Sequence, residues 1–401
     1  MKVVRILFLI STLTNGGAER AMSNITTHLP ENVEADILLN SVSDFDFETG
    51  ANIINLGMKP NVEMGLKYQL VATCKRLVKL RQLKKNNHYD ACISFMDSAN
   101  ICNIITGNKN CKTIVSVRVS IKNDKSFSYR YIVSPLVKLL YNKADCIVAV
   151  AEGIQKELVE GFGLQEKKVK TITNGFDIAK LEQQASEKLD MAKDLENKFV
   201  YVASGRYTTQ KAHWHLIRAF AEVAKVHEEA VLLILGQGEE KEYLEELILQ
   251  YGLQEKVRLI PFCTNPFPIL KHSDVFVMPS MFEGYCNAIC EAMICGLPCI
   301  ATDFQTSARE ILAPDTDYEY QLEQGVEYAA YGLLTPVCSG MKYKNMEPLE
   351  SAEKALAEAM FALYEDKELY EKYRALALER GTQMDINMKV QEWLALVEME
   401  M

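Results

Sequence analysis

Two carboxylates eight residues apart, in Phe282-Glu283-Gly284-Tyr285-Cys286-Asn287-Ala288-Ile289-Cys290-Glu291, stand where a glycine-containing loop runs into an apolar helix. A helix N-terminus collects anions, because its unpaired N–H groups and its dipole favour negative charge. Carboxylates placed there repel a bare phosphate. Glu283 and Glu291 must therefore address something neutral, such as sugar hydroxyls, while backbone amides handle the phosphate. A ligand that joins a sugar to a nucleotide fits this division of labour.

Two further segments have matching chemistry. Ser204-Gly205-Arg206-Tyr207-Thr208-Thr209-Gln210-Lys211 follows an apolar run and precedes a helical one, and Arg206 and Lys211 could neutralise a departing diphosphate. The bland alternative is a surface loop with two solvated cations. In Thr12-Leu13-Thr14-Asn15-Gly16-Gly17-Ala18-Glu19-Arg20, two glycines at a strand-to-helix turn let a ligand approach the backbone, and the amides that follow can hold a phosphate. A tight connection would look the same. The segment lacks the full G-x-G-x-x-G pattern, which disfavours a nicotinamide cofactor.

These segments need strands and helices to hold them. Apolar strands are expected at Val3 to Ile10, Ala35 to Leu39, Ala91 to Phe95, Thr113 to Val117 and Cys146 to Val150, with helices from Ala18 and near Met64 to Lys85. A second series follows: Val200 to Ser204, Val231 to Leu235, Val257 to Leu259, Val275 to Met278 and Pro298 to Thr302, with helices over Trp214 to His227 and Glu240 to Leu249. Alternation of this kind predicts an α/β protein with doubly wound parallel sheets. The turn in Thr171-Ile172-Thr173-Asn174-Gly175-Phe176-Asp177 separates the series. It predicts a first domain over 1–177 and a second over 178–382, two Rossmann-like domains facing a central cleft. The last helix, Ile386 to Met399, carries Val390, Trp393, Leu394 and Val397 on one face, and residues 383–401 are expected to pack back on the first domain.

Composition narrows the setting. The 401 residues exceed what one core usually supports, and 48% hydrophobic with 24% charged residues is ordinary for a globular protein. No run of apolar residues is long enough to span a bilayer. The apolar stretch after Arg5 turns polar at Ser11, so it reads as a buried strand rather than a signal peptide. Eleven cysteines, several inside apolar strands, predict reduced thiols and a cytoplasmic location. Cys286, Cys290, Cys295 and Cys299 lack paired metal-ligand spacing and read as core. The net charge of −10 hides an asymmetry: residues 1–176 carry 23 Lys and Arg against 16 Asp and Glu, the remainder 21 against 38. Lys75, Arg76, Lys79, Arg81, Lys84 and Lys85 interleave with Leu77, Val78, Leu80 and Leu83. Such a helix suits an anionic membrane surface, and equally a solvated face over a core.

Taken together, Gly16-Gly17-Ala18-Glu19-Arg20, Asn174-Gly175-Phe176-Asp177, Gly205-Arg206 with Gln210-Lys211, Gly236-Gln237-Gly238 and the Glu283/Glu291 pair resemble the retaining GT-B glycosyltransferases of family 4, also called glycosyl transferases group 1, of the bacterial glycan type. The resemblance is ordered and spans nearly the whole chain. It implies that Glu283, Arg206 and Lys211 form the catalytic set, with Glu283 on the donor sugar and the two cations on the diphosphate. It places Gly16, Gly17, Phe262, Cys263, Gly284, Tyr285, Cys286, Asn287 and Glu291 on the donor, with Glu291 at the ribose and Phe262 and Cys263 near the base. It implies no cofactor and no metal, the nucleotide-sugar, expected to carry UDP, being a substrate. The family's first-domain histidine has no counterpart at Ser116-Val117-Arg118-Val119-Ser120, where Arg118 takes its space. His213 and His215 read as packing, and Ala212 replaces a common glycine.

Retention needs a covalent nucleophile or a same-face displacement. No carboxylate is placed as a nucleophile, so displacement is favoured. The family's acceptor binds in the first domain, whose basic character suggests a saccharide on polyprenyl diphosphate and peripheral contact with the inner face of an anionic membrane. Nucleic acid is not an expected partner. Asp97, Ser98, Asn100 and Arg118 are the candidate acceptor contacts. A metal-dependent transferase would need an Asp-x-Asp, and Asp44-Phe45-Asp46 and Asp315-Thr316-Asp317 match only by letters. Transfer to a soluble acceptor, epimerisation, hydrolysis and a non-catalytic sensor are the other readings.

Overall fold

The computed structural model describes residues 3–14, 16–44, 46–58, 66–122, 129–305, 307–343 and 347–399. The chain forms two units, Met1–Gly175 with Ile386–Met401, and Phe176–Asp385.

The first unit is built on strands β1 (Val4–Leu9), β2 (Val33–Leu39), β3 (Asn52–Asn55), β4 (Ala91–Phe95), β5 (Lys112–Val117), β6 (Cys146–Ala149) and β7 (Val169–Thr171). Its helices are α1 (Gly17–Thr27), α2 (Leu66–Asn86), α3 (Asp97–Ile105), α4 (Ser134–Leu140) and α5 (Glu152–Lys156). The strands pair in parallel in the order β3-β2-β1-β4-β5-β6-β7. β4 is buried along its whole length, as a strand covered on both faces must be, and its sequence is accordingly apolar apart from Ser94, without alternation. Alternate residues of β1 enter different clusters: Ile6 and Phe8 one, Leu7 and Leu9 the other.

In the second unit α6 (Ile178–Ala185) and α7 (Ala192–Leu195) lead to β8 (Phe199–Ser204), α8 (His213–Val226), β9 (Ala230–Leu235), α9 (Lys241–Gln250), β10 (Val257–Ile260) and α10 (Phe267–Lys271). They are followed by β11 (Val275–Met278), α11 (Asn287–Ile294), β12 (Cys299–Thr302), α12 (Ser307–Leu312), β13 (Glu327–Tyr328), β14 (Leu333–Thr335), α13 (Ser351–Glu365) and α14 (Lys367–Thr382). The order is β10-β9-β8-β11-β12-β14-β13, parallel except at β13. α15 (Ile386–Glu398) then joins the first unit: Ile386, Val390, Trp393, Leu396 and Val397 are buried, and Trp393 lies 5.5 Å from the Phe95 ring.

Three local readings are corrected. β3 was not expected, because as an edge strand with mostly exposed residues it lacks an apolar run. On α15 Leu396 rather than Leu394 completes the buried stripe, Leu394 being half-buried. On α2 the six basic residues do not share a face. Arg76 is buried and donates to Asn40 Oδ1, Ser98 Oγ and Ser11 Oγ at 3.0, 3.2 and 3.1 Å, and buried Lys84 donates to Asn103 Oδ1 at 2.6 Å. Lys75, Arg81 and Lys85 stay exposed, beside exposed Val71 and Val78. All eleven cysteines are free thiols. No helix among the described residues is long and apolar enough to cross a membrane.

Candidate active site

Where a doubly wound sheet reverses its strand order, the loops leaving two neighbouring strands diverge and open a crevice. In the second unit that reversal falls between β8 and β11, which are adjacent in the sheet. The loop after β8 carries Arg206 and Lys211, and the loop after β11 carries Glu283. The fold thus brings together residues far apart in sequence: Lys211 Nζ lies 2.7 Å from Glu283 Oε1, with side chains only 15% and 12% exposed. Burial disfavours the Lys211 charge, but Glu283, with a contribution from Cys286, offsets this, and the ammonium titrates above the ordinary lysine value. Arg206 is exposed and close enough to act electrostatically on Lys211.

The two loops are clamped by Gln210. Its carbonyl accepts the Met281 amide at 2.8 Å, and its side-chain amide donates to Phe282 O at 2.8 Å. The Lys211 stem crosses Gly205 so closely that a Cβ there would sit 2.8 Å from Lys211 Cε. Gly236 has a packing reason of its own, since a Cβ would fall 2.0 Å from Gly205 O. Ala212 occupies the left-handed region at φ 49°, the conformation for which glycine is the common solution.

Past Glu283 the chain enters α11 through Cys286. Gly284 and Tyr285 lie half-buried at this helix entrance. The expected cradle is narrower than Gly284 to Asn287: the Cys286 amide donates to Ser307 Oγ at 3.1 Å, and the Asn287 amide to Tyr285 O at 3.0 Å. Burial pushes the Tyr285 hydroxyl far up, and the Cys286 thiol up to about 12. Cys286 is therefore a neutral packing group. Glu291 sits within α11, 8% exposed. Phe262, largely exposed, and Cys263, half-buried, follow β10.

Residues 186–319 match the family model of the glycosyl transferases group 1, and residues 15–180 that of glycosyltransferase family 4. An uncharacterised glycosyltransferase of Methanocaldococcus jannaschii is 35% identical over 82% of this chain and 83% of its own. The chain belongs to the group 1 glycosyltransferases. The Campylobacter jejuni N-acetylgalactosamine-N,N'-diacetylbacillosaminyl-diphospho-undecaprenol 4-alpha-N-acetylgalactosaminyltransferase is 30% identical over 79% of this chain and 88% of its own. Among solved structures, Anabaena HepE in complex with UDP and glucose superposes with a TM-score of 0.73 at 21% identity, covering 98% of this chain and 99% of that one. That likeness identifies the fold as GT-B, two Rossmann-like α/β units in one glycosyltransferase chain.

In the first unit of this glycosyltransferase the sheet reverses between β1 and β4. Gly16 and Gly17 follow β1, but Glu19 folds back over them: a Cβ on Gly16 would meet Glu19 Oε2 at 1.9 Å. Burial raises the Glu19 pKa, with Arg118 acting in the opposite direction. The α1 N-terminus is thus covered by the chain's own carboxylate.

Three of the acceptor-side candidates are buried and engaged within the first unit. Asn100 is fully buried, accepting from Ser94 Oγ at 2.9 Å and donating to Ser116 O at 2.8 Å, so it ties α3 to the sheet. Both Asp97 oxygens are engaged, by Tyr141 OH at 2.8 Å and Tyr129 OH at 3.0 Å. Arg118 is buried over the Phe95 ring at 4.6 Å and bonds Asn174 Oδ1; burial lowers its pKa to about 9, with Glu19 opposing. Polar residues after a strand read as a binding loop, whereas here they fill the interior. Ser98 remains exposed, and Met96 beside it holds φ 74°, a strained value for a non-glycine residue.

His213 and His215 are both buried in α8. His215 pairs Nδ1 with Glu353 at 2.7 Å and accepts the Gly340 amide at Nε2, so its proximity to Cys338 and Glu350 leaves no ring nitrogen for a metal. His213 has no hydrogen-bond partner on either nitrogen among the described residues, and burial, aided by Lys211, pushes its pKa down to about 3. Below pH 6.5 the unfolded chain therefore binds a proton that the folded chain refuses. Stability from this site is complete above the unfolded value and should fall by about 1.4 kcal/mol per pH unit on acidification. His213→Phe is expected to remove that slope in urea melts between pH 7 and pH 5; an unchanged slope would show that His213 accepts the proton in place.

Proposed function

We propose that the chain is a retaining, metal-independent transferase that moves a hexose or N-acetylhexosamine from a UDP-sugar to a saccharide on polyprenyl diphosphate, in cell-surface glycan synthesis. The observation that carries this reading is the Lys211–Glu283 pair at the β8/β11 reversal, with Arg206 nearby. Lys211 and Arg206 stabilise the departing diphosphate, and Glu283 orients the sugar through its hydroxyls. The acceptor oxygen attacks the anomeric carbon from the face the phosphate leaves, the glycosidic bond to phosphate breaks, and the acceptor proton passes to the departing phosphate oxygen. Glu291 serves the ribose, and the backbone beside Phe262 and Cys263 the base.

The acceptor class is supported by relatives whose names specify diphospho-undecaprenol acceptors, the Campylobacter jejuni enzyme among them. Another is an Escherichia coli UDP-Gal:alpha-D-GlcNAc-diphosphoundecaprenol alpha-1,3-galactosyltransferase, 27% identical over 58% of this chain. Peripheral contact with an anionic membrane rests on exposed Lys75, Arg81 and Lys85 around Val71 and Val78, each basic side chain contributing about 1 kcal/mol near such a surface.

The test is nucleotide release from UDP-, GDP- and ADP-sugars in EDTA, with and without a bacterial lipid extract, followed by the anomeric configuration of the product. UDP release that requires the extract, with retention, is expected. Release without extract would replace the lipid-linked acceptor with a soluble one or with water, and a requirement for divalent cation would overturn the metal-free mechanism.

A further inference from the structure

We propose that Ser280 is a positioning residue for the transfer, selecting which oxygen of Glu283 faces the sugar. Ser280 is fully buried two residues past β11, and its hydroxyl donates to Glu283 Oε1 at 2.9 Å. Lys211 Nζ contacts that same oxygen at 2.7 Å. Oε2 takes no hydrogen bond among the described residues, so the internal partners converge on one oxygen and leave the other for a ligand hydroxyl. Ser280 is itself anchored from the neighbouring strand, its carbonyl accepting the hydroxyl of fully buried Thr302, the last residue of β12, at 2.5 Å.

Two partners on Oε1 become one during turnover. A bound diphosphate competes with Glu283 for the Lys211 ammonium, and as Lys211 turns to phosphate Ser280 is the donor that still fixes the carboxylate. A carboxylate released from both would rotate freely about its terminal torsion, whose wells are broad. The backbone of the loop does not depend on Ser280 for its course, because Gln210 and Gln305 hold Met281, Phe282 and Glu283 through main-chain atoms.

This inference rests on Glu283 acting as the sugar contact, so the experiment separates the two. Ser280→Ala, Glu283→Gln and the double variant are compared for kcat, KM for the nucleotide-sugar and affinity for UDP. Ser280→Ala is expected to lower kcat about tenfold, the size of one hydrogen bond to a charged group, with UDP affinity unchanged. In the Glu283→Gln background the same change should cost less than about twofold, since residues acting through one contact are not additive. Thr302→Val, which loosens Ser280 without touching Glu283, should give a smaller kcat loss that also vanishes in that background. Wild-type kcat in Ser280→Ala, or a full tenfold loss persisting in the double variant, would overturn the positioning role while leaving Glu283 in place. Wild-type kcat in Glu283→Gln would remove the reading of Glu283, and this inference with it.

Discussion

Lys211→Ala is expected to lower turnover by about a hundredfold or more, the usual loss when one preorganised donor to developing charge is removed. Its ammonium is the cation in contact with Glu283, and it is shielded enough from water for its field to count. The substitution also leaves the Glu283 charge without its counter-ion, still held by Ser280, to repel the diphosphate it should sit beside, so binding and turnover both suffer. Because Glu283 holds the ammonium above the ordinary lysine value, the wild-type rate should show no loss from this group across neutral and mildly alkaline pH. Initial rates at saturating donor decide the matter: a turnover within a few-fold of wild type would refute the assignment of Lys211 to the leaving group.

Glu353→Ala should be strongly destabilising, at about 3–5 kcal/mol, the range for breaking a buried ion pair from one side. Glu353 is fully buried and accepts from Arg218 Nε and His215 Nδ1, both at 2.7 Å, and from the Glu350 amide at 3.0 Å. Arg218 is buried too, stacked at 3.8 Å over the Tyr343 ring and bonded to Glu347 O and Pro348 O. Burial opposes its charge and Glu353 restores it, so removing the carboxylate strands a guanidinium. A thermal melt should fall by roughly ten degrees or more. A fall of only a degree or two would mean that water replaces the carboxylate.

Much of this arrangement was legible in the sequence. β4 and β11 are largely apolar runs, each preceded by an aspartate, Asp90 and Asp274, and both strands form at the expected positions, Ala91–Phe95 and Val275–Met278. The motifs after β8 and β11 mark where ligand chemistry concentrates because strand ends are the places a parallel sheet leaves open. What could not be read was which partner each polar residue takes. Arg76, Lys84, Asp97 and Asn100 have the composition of surface residues, and only tertiary contacts turn them inward. The Lys211–Glu283 contact joins two loops through a sheet pairing that no local pattern encodes. For the Ser280 hydroxyl the sequence does hold a signal, its place just after an apolar strand and three residues before Glu283.

The membership of α15 has a consequence for how the chain is made. Synthesis usually lets an N-terminal domain fold first. Here the second unit is contiguous and is complete once Asp385 has left the ribosome, whereas the first lacks the helix that packs Trp393 on Phe95 and completes its apolar cluster until residues 386–398 follow. The unit begun first is therefore finished last. Through the whole synthesis of its neighbour it carries an unsealed apolar surface, and that interval is when a nascent chain of this design has most need of a chaperone.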